Sequence, residues 1–246
     1  MSRSTRAVSK YALAALVVAA GVAGAAGAPK FEDTMAQRVL ACTGCHGQQG
    51  RAASDGYYPR IAGKPAGYLY NQLVSFRDGQ RPYRLMTLLL APLTDDYLRE
   101  IAQHFADLEL SYPPPQAATA DPQVLHRGET LVRQGDAQRR LAACVECHGA
   151  QLMGVQPAIP ALLGLPRDYI NAQLGAWRTG NRHARGADCM ALIAQRLDPS
   201  DVFALSQWLA AQPVPPASRP ADVAPGPTAR DCLATAPGST LPRSPP

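Results

Sequence analysis

Two pentapeptides carry the clearest chemistry in this chain: Cys42-Thr43-Gly44-Cys45-His46 and Cys144-Val145-Glu146-Cys147-His148. Cysteines three apart fall on one side of a helical turn. There two thiols can add to the vinyl groups of a haem while the adjacent imidazole faces the iron. Cys42, Cys45, Cys144 and Cys147 are therefore candidate attachment points for two covalent haem c groups, and His46 and His148 are candidate iron ligands. The same spacing occurs in thioredoxin-like redox pairs and as half of a zinc site. A redox pair sits in a βαβ pattern and zinc wants four converging ligands. Neither context is visible in the sequence.

A haem iron that only carries electrons takes a second axial ligand, usually Met opposite His. Met1 belongs to the N-terminal leader, and Met35 precedes Cys42 on the same expected helix. Met153 follows His148 too closely to round the macrocycle. Met86 and Met190 remain, at matching distances after His46 and His148 and each before a Leu (Leu93, Leu197) that opens a terminal helix. The alternative reading is that both are ordinary core thioethers. His183 lies close enough to the Met190 loop to replace it as ligand, whereas His104 and His126 read as solvated or structural. Pro59 and Pro160 recur at one distance after their motifs. They fit either carbonyl acceptors for the Nδ1 protons of His46 and His148 or plain rigid turns. Tyr68, Tyr169 and Trp177 suit propionates. Arg77, Arg81, Arg178 and Arg182 do too, but surface solvation is the simpler reading of the arginines.

The elements that hold these residues are used twice. Residues 58–81 align with 159–182 at an offset of 101, pairing Pro59 with Pro160, Gly63 with Gly164, Tyr68 with Tyr169 and Gln72 with Gln173. Self-similarity at a fixed offset marks a duplicated unit. Each copy reads as helical. Segments Phe31 to Ala41, and Leu125 to Gln134 with Arg139 to Ala143, lead into the motifs. Helices over Pro65 to Phe76 and Pro166 to Trp177 begin at Pro and stop at Gly79 or Gly180. Closing helices start at the N-caps Thr94 and Asp198. No alternating strand pattern is present. The boundaries expected are a signal peptide at 1–25, domains at 26–112 and 121–212, a Pro-rich linker at 113–120, and a Pro-rich tail at 213–246 that is extended or disordered.

Composition bounds the rest. Arg3, Arg6 and Lys10 precede an apolar run and the small residues Ala23-Gly24-Ala25, the parts of a cleaved secretory signal, so export to the periplasm is expected. No other stretch is long and apolar enough to cross a bilayer. Without the leader cations the chain holds 21 basic residues (24 − 3) against 19 acidic ones. That balance gives no support for nucleic-acid binding. Cys189, beside Met190, and Cys232 in the tail are left over. An intrachain disulfide, free thiols, an intermolecular bond or Cys189 ligation of iron are all open, and an oxidising compartment favours pairing.

The chain resembles the two-domain dihaem cytochromes c of the cytochrome c4 type. The likeness rests on the two CxxCH-Gly motifs, on Pro59 and Gly63 with Tyr68-Leu69-x-x-Gln72-Leu73, on their second copy at Pro160, Gly164 and Tyr169 to Leu174, and on Met86 and Met190. It covers roughly 31–212. It implies an all-α fold of two tandem class I cytochrome c domains facing each other, each wrapped around a covalent haem, with internal electron transfer. It also implies an electron carrier rather than an enzyme, working between a quinol-oxidising complex or a dehydrogenase as donor and a terminal oxidase as acceptor. His46/Met86 and His148/Met190 would close both irons and leave outer-sphere transfer. The rivals are a peroxidase-like or thiosulfate-oxidising haem enzyme with one open or Cys-ligated haem, and a cytochrome subunit of a membrane-bound dehydrogenase. Cys189 and the tail depart from the family pattern.

Overall fold

The computed structural model describes residues 32–52, 56–216 and 218–222. The leader and Cys232 lie outside them. From the first described residues onward the chain forms two hydrophobic cores, one on each side of the Pro-rich linker.

The first core is approached by α1 (Met35–Arg38), whose first turn is capped by Thr34 accepting from Gln37 N. The helix expected over Phe31 to Ala41 is broken at Val39, which leaves helical geometry and is buried. A second helix, α2 (Leu40–His46), then carries the first motif. Gly47 follows at φ 73°, a left-handed turn that a side chain would strain, and Gly149 repeats it at φ 81° after the second motif. Helix α3 (Ala66–Arg77) starts after Pro65, and α5 (Asp95–Ala106) starts at Thr94, which accepts from Tyr97 N. Between them lies a helix that the sequence did not announce, α4 (Arg84–Leu90), which carries Met86. Val39, Leu69, Val74, Leu90, Leu98, Ile101 and Phe105 close this core.

The second core repeats the plan with α6 (Pro122–Arg133), α7 (Cys144–His148), α8 (Arg167–Arg178), α9 (Cys189–Gln195) and α10 (Pro199–Ala210). Met190 thus sits on a short helix and not in a loop. The helix expected over Arg139 to Ala143 does not form. A 3-10 turn at Ala137–Arg139 ends in Arg140 at φ 51°, and Leu141 folds back to bridge Asp136. The reason is local: the Asp136 carboxylate accepts from Arg139 N and caps the tighter turn instead. A two-residue antiparallel hairpin, β1 (Gly154–Val155) with β2 (Ile159–Pro160), also appears where no strand was expected. Its outer edge is used by the tail: Gln156 N donates to Ala221 O, and Ala221 N to Gly154 O. Val214 packs on the second core, and Arg219 pairs with Glu109. The described part of the tail is therefore extended but bonded down.

The linker is clamped from both sides. Arg60 donates to the carbonyls of Ala62, Leu110 and Ser111 and stacks 4.0 Å over Tyr112. Arg167 holds Gln116, Ala117 and Thr119. Prolines stiffen the segment, and these bonds fix its two ends.

One ionic cluster seals α6 against α10. Asp201, only 4% exposed, meets Arg127 at 2.9 Å and Arg139 at 2.7 Å, while Asp136 pairs with the same two arginines at 3.0 and 3.1 Å. Burial alone would raise the pKa of Asp201, but Arg139 and Arg127 outweigh it and hold it below its usual value. Arg127 does the same for Asp136. Carboxylates with depressed folded pKa values contribute in full above the unfolded value of about 3.9 and lose that contribution as pH falls through the folded one. Asp201→Asn is expected to cost about 2 kcal/mol at neutral pH, below the 3–5 of a fully buried pair because both arginines are partly exposed. It should also flatten the acid dependence of unfolding, followed by circular dichroism below about pH 4. Identical acid transitions in both proteins would exclude this role.

Candidate haem sites

Each site is built from a helix that ends in its motif histidine. His46 Nδ1 lies 2.8 Å from Pro59 O, and His148 Nδ1 lies 2.7 Å from Pro160 O. A carbonyl can only accept, so Nδ1 carries the proton and the lone pair of each ring is left on Nε2, the ligating atom. Burial lowers both histidine pKa values, which keeps the rings neutral and ligand-competent at neutral pH. Of the two readings open for the prolines, carbonyl acceptance is the one observed.

In the first domain Cys42, Cys45, His46 and Met86 open onto one cavity of about 760 Å³, within the usual span for small-molecule and cofactor sites. Its walls are mainly apolar, with Leu69, Leu73, Phe76, Leu90 and Phe105 among them. Burial pushes the Cys42 thiol up, and in the second domain it pushes Cys144 up to about 12. Such thiols are not reactive thiolates of the thioredoxin kind. Among the described residues no three His, Cys, Asp or Glu side chains converge to hold a metal, as a zinc site would need. In the second domain His148 is buried, and Met190 packs against the same core as Cys144.

At the polar end of the first cavity, residues of the two domains meet. Lys64, Tyr68, Gln72 and Arg81 line it together with Tyr169, Gln173 and Arg182 from the other copy. Arg182 is 4% exposed and Lys64 7%. The hydrogen-bond partners of Arg81 and Arg182 are all neutral: Gln72, Gln173 and the two tyrosines. Burial alone would raise the pKa of Tyr68, yet Arg182, Arg81 and Lys64 together pull it down to about 8. Among the described residues Trp177 Nε1 is buried with no acceptor, and its ring lies 3.7 Å under Arg182. A buried excess of cations beside an unpaired donor is costly unless an anion meets it. Haem propionates have that charge. The apolar walls, thiols, imidazole, Met and cations of the first cavity fit a haem c, and the second domain repeats the motif helix with a Met packed on its core.

Surface solvation was the simpler expectation for the arginines, and it fails for Arg81 and Arg182. Arg178 is exposed, and Arg77 pairs with Asp95 at 2.7 Å. Lys64 and the roles of Gln72 and Gln173 were missed. For the glutamines a signal was present, since the Gln and Arg pairs both recur at the 101 offset, whereas Lys64 has Leu165 as its counterpart. His183 is 60% exposed at its side chain and faces Asp188, so it does not enter the second core. Met35 and Met153 pack in the two cores. Cys189 is disulfide-bonded, and its expected partner Cys232 lies outside the described residues.

No family model matches the chain. It is 34% identical to a thiosulfate dehydrogenase electron acceptor from Thiomonas intermedia over 86% of its length and 93% of the relative's. It is 32% identical to cytochrome c4 from Pseudomonas aeruginosa over 80% of its length and 96% of that protein's. A crystal structure of reduced cytochrome c4 from Pseudomonas stutzeri superposes with a TM-score of 0.62 at 30% identity, over 72% of this chain and 96% of that one. A thiosulfate dehydrogenase structure from Marichromatium purpuratum gives 0.64 at 34% identity, over 72% of this chain but 38% of that longer chain. This chain is helical, repeats one unit and presents a proton-fixed histidine in each copy, and with these relatives it belongs to the cytochrome c4-type dihaem cytochromes c, electron-transfer proteins with two covalent haem c groups.

Proposed function

We propose that this protein is an exported periplasmic carrier that takes electrons from a thiosulfate-oxidising dehydrogenase and passes them towards a terminal oxidase. The observation that carries the reading is the doubled site, in which each domain sets a neutral, proton-fixed histidine and a methionine against one core. When bound, the haem groups supply one-electron ferric/ferrous chemistry. Cys42, Cys45, Cys144 and Cys147 would anchor them by thioethers, with His46 and Met86 as iron ligands in the first domain and His148 and Met190 in the second. The apolar walls exclude water, and the interdomain cations balance the propionates. With a histidine and a methionine serving each iron, the protein would leave no place for substrate, and transfer would be outer-sphere.

The donor is suggested by relatives named as thiosulfate dehydrogenase electron acceptors. A c4-like part within a longer thiosulfate dehydrogenase chain points the same way. The enzyme alternative with a Cys-ligated haem loses its thiol, because Cys189 is already in a disulfide. Among the described residues no helix is long and apolar enough to cross a membrane. Export rests on the leader at 1–25.

Stopped-flow mixing of the oxidised dihaem protein with thiosulfate, with and without a thiosulfate dehydrogenase, tests the assignment. Rapid reduction of both haems is expected only when the dehydrogenase is present. Catalytic consumption of thiosulfate by this chain alone would overturn it in favour of the enzyme.

A further inference from the structure

Gln72 and Gln173 occupy a position that the carrier role does not by itself explain. Gln72 Oε1 accepts from Arg81 of its own domain at 2.9 Å and from Arg182 of the other at 2.8 Å. Gln173 Oε1 accepts from Arg182 of its own domain at 2.6 Å and from Arg81 of the other at 2.7 Å. The four side chains form a closed ring in which bonds within a domain alternate with bonds between domains. The ring has the symmetry of an isologous interface, because its members are repeat equivalents that meet across a local two-fold axis. Arg81 also reaches Tyr169, and Arg182 reaches Tyr68, extending the same symmetry outward.

We propose that Gln72 and Gln173 are positioning residues for electron exchange between the two haems: their ring fixes the separation and orientation of the two sites and sets one shared pair of guanidiniums between the domains. The proposal rests on the dihaem carrier reading above. A glutamine carbonyl has two lone pairs, and here each pair serves a different guanidinium. Without the carbonyls, Arg81 and Arg182 would keep only Tyr169 and Tyr68 as partners, and two like charges would face each other with the acceptors between them lost, which loosens the boundary. The linker clamps at Arg60 and Arg167 would still hold the connection, but they grip the chain between the domains and not the facing surfaces. Ring members also line the cavity that holds Cys42, His46 and Met86, so a shift at the boundary moves the haem environment directly. Small displacements of reacting centres carry large rate penalties.

The test uses the intact dihaem protein. In the Gln72→Leu/Gln173→Leu variant, one haem is reduced by a photochemical pulse and equilibration with the second is followed optically. Inter-haem transfer is expected to slow at least several-fold, with the Met-to-iron absorbance of both haems retained and reduction by dithionite still complete. Gln72→Glu keeps the shape and places a carboxylate between both guanidiniums. It should preserve the exchange rate and lower both haem potentials together, which a purely structural bond would not do. An unchanged rate in the double variant, or a Gln72→Glu shift confined to one haem, would overturn the proposal. If the double variant does not fold, the potentials of Gln72→Glu decide. Reduction by the dehydrogenase is measured separately, so loss of that partner would count against the proposed donor and not against the ring.

Discussion

Met86→Ala is expected to open the first haem to external ligands and to lower its potential. The first cavity is held by α2 on one side and α4 on the other, with Met86 facing in beside Leu90. Alanine is too short to reach an iron, and no His, Cys or Met other than the motif residues and Met86 lines that cavity. Half of the Met-to-iron charge-transfer absorbance should disappear, and cyanide should bind one haem of two. Thioether ligation favours the ferrous state, so the potential should fall by on the order of 100 mV, a modest part of the roughly 0.8 V that axial ligands span. Met190→Ala should do the same at the second haem. Full absorbance in either variant would refute its methionine as a ligand.

Gly128→Ala is expected to be a strongly destabilising single-methyl change in the second domain. Gly128 lies where α6 crosses α10, and a β-carbon there would collide with the backbone carbonyl of Ala204 and approach Trp208 Cβ. Backbone cannot swing aside as the end of a long side chain can. The two helices must therefore separate, and Leu131, Val132, Leu205, Trp208 and Leu209 lose packing together. Overpacking of this kind costs about 3 kcal/mol, a large share of the 5–15 kcal/mol typical of whole domains. Guanidinium unfolding followed by circular dichroism measures it. Gly175→Ala on α8 is the control, because nothing lies within 4 Å of its β-carbon position. Equal midpoints for the two variants would refute the close crossing.

Much of the site could be read from the chain. The CxxCH spacing depends on one helical turn, and it announces its chemistry without tertiary context. Comparing the repeats then singled out Met86 and Met190, because two copies of a unit must solve the same ligand problem at the same place. Proline starts, glycine stops and the caps Thr94 and Asp198 located the longer helices, since these signals act through the nearest few backbone groups. Signals failed where local rules compete. Asp136 caps a turn and so blocks the helix expected at Arg139. The helix α4 has no capping side chain, and its Arg-Leu-Met-Thr-Leu-Leu-Leu sequence has no polar face to betray it.

What the sequence alone determined is what this protein binds and how many times: two haem c groups, one in each copy of a duplicated helical unit. Those features are local, set by bonded spacing and repetition. Only the tertiary structure decided how the copies face each other. It turned Arg81 and Arg182 from apparent surface charges into interdomain partners of Gln72 and Gln173, and it pinned the tail to β1. The reason is physical: whether a polar side chain is solvated or buried depends on what folds over it from residues a hundred positions away, and no local pattern in the chain records that.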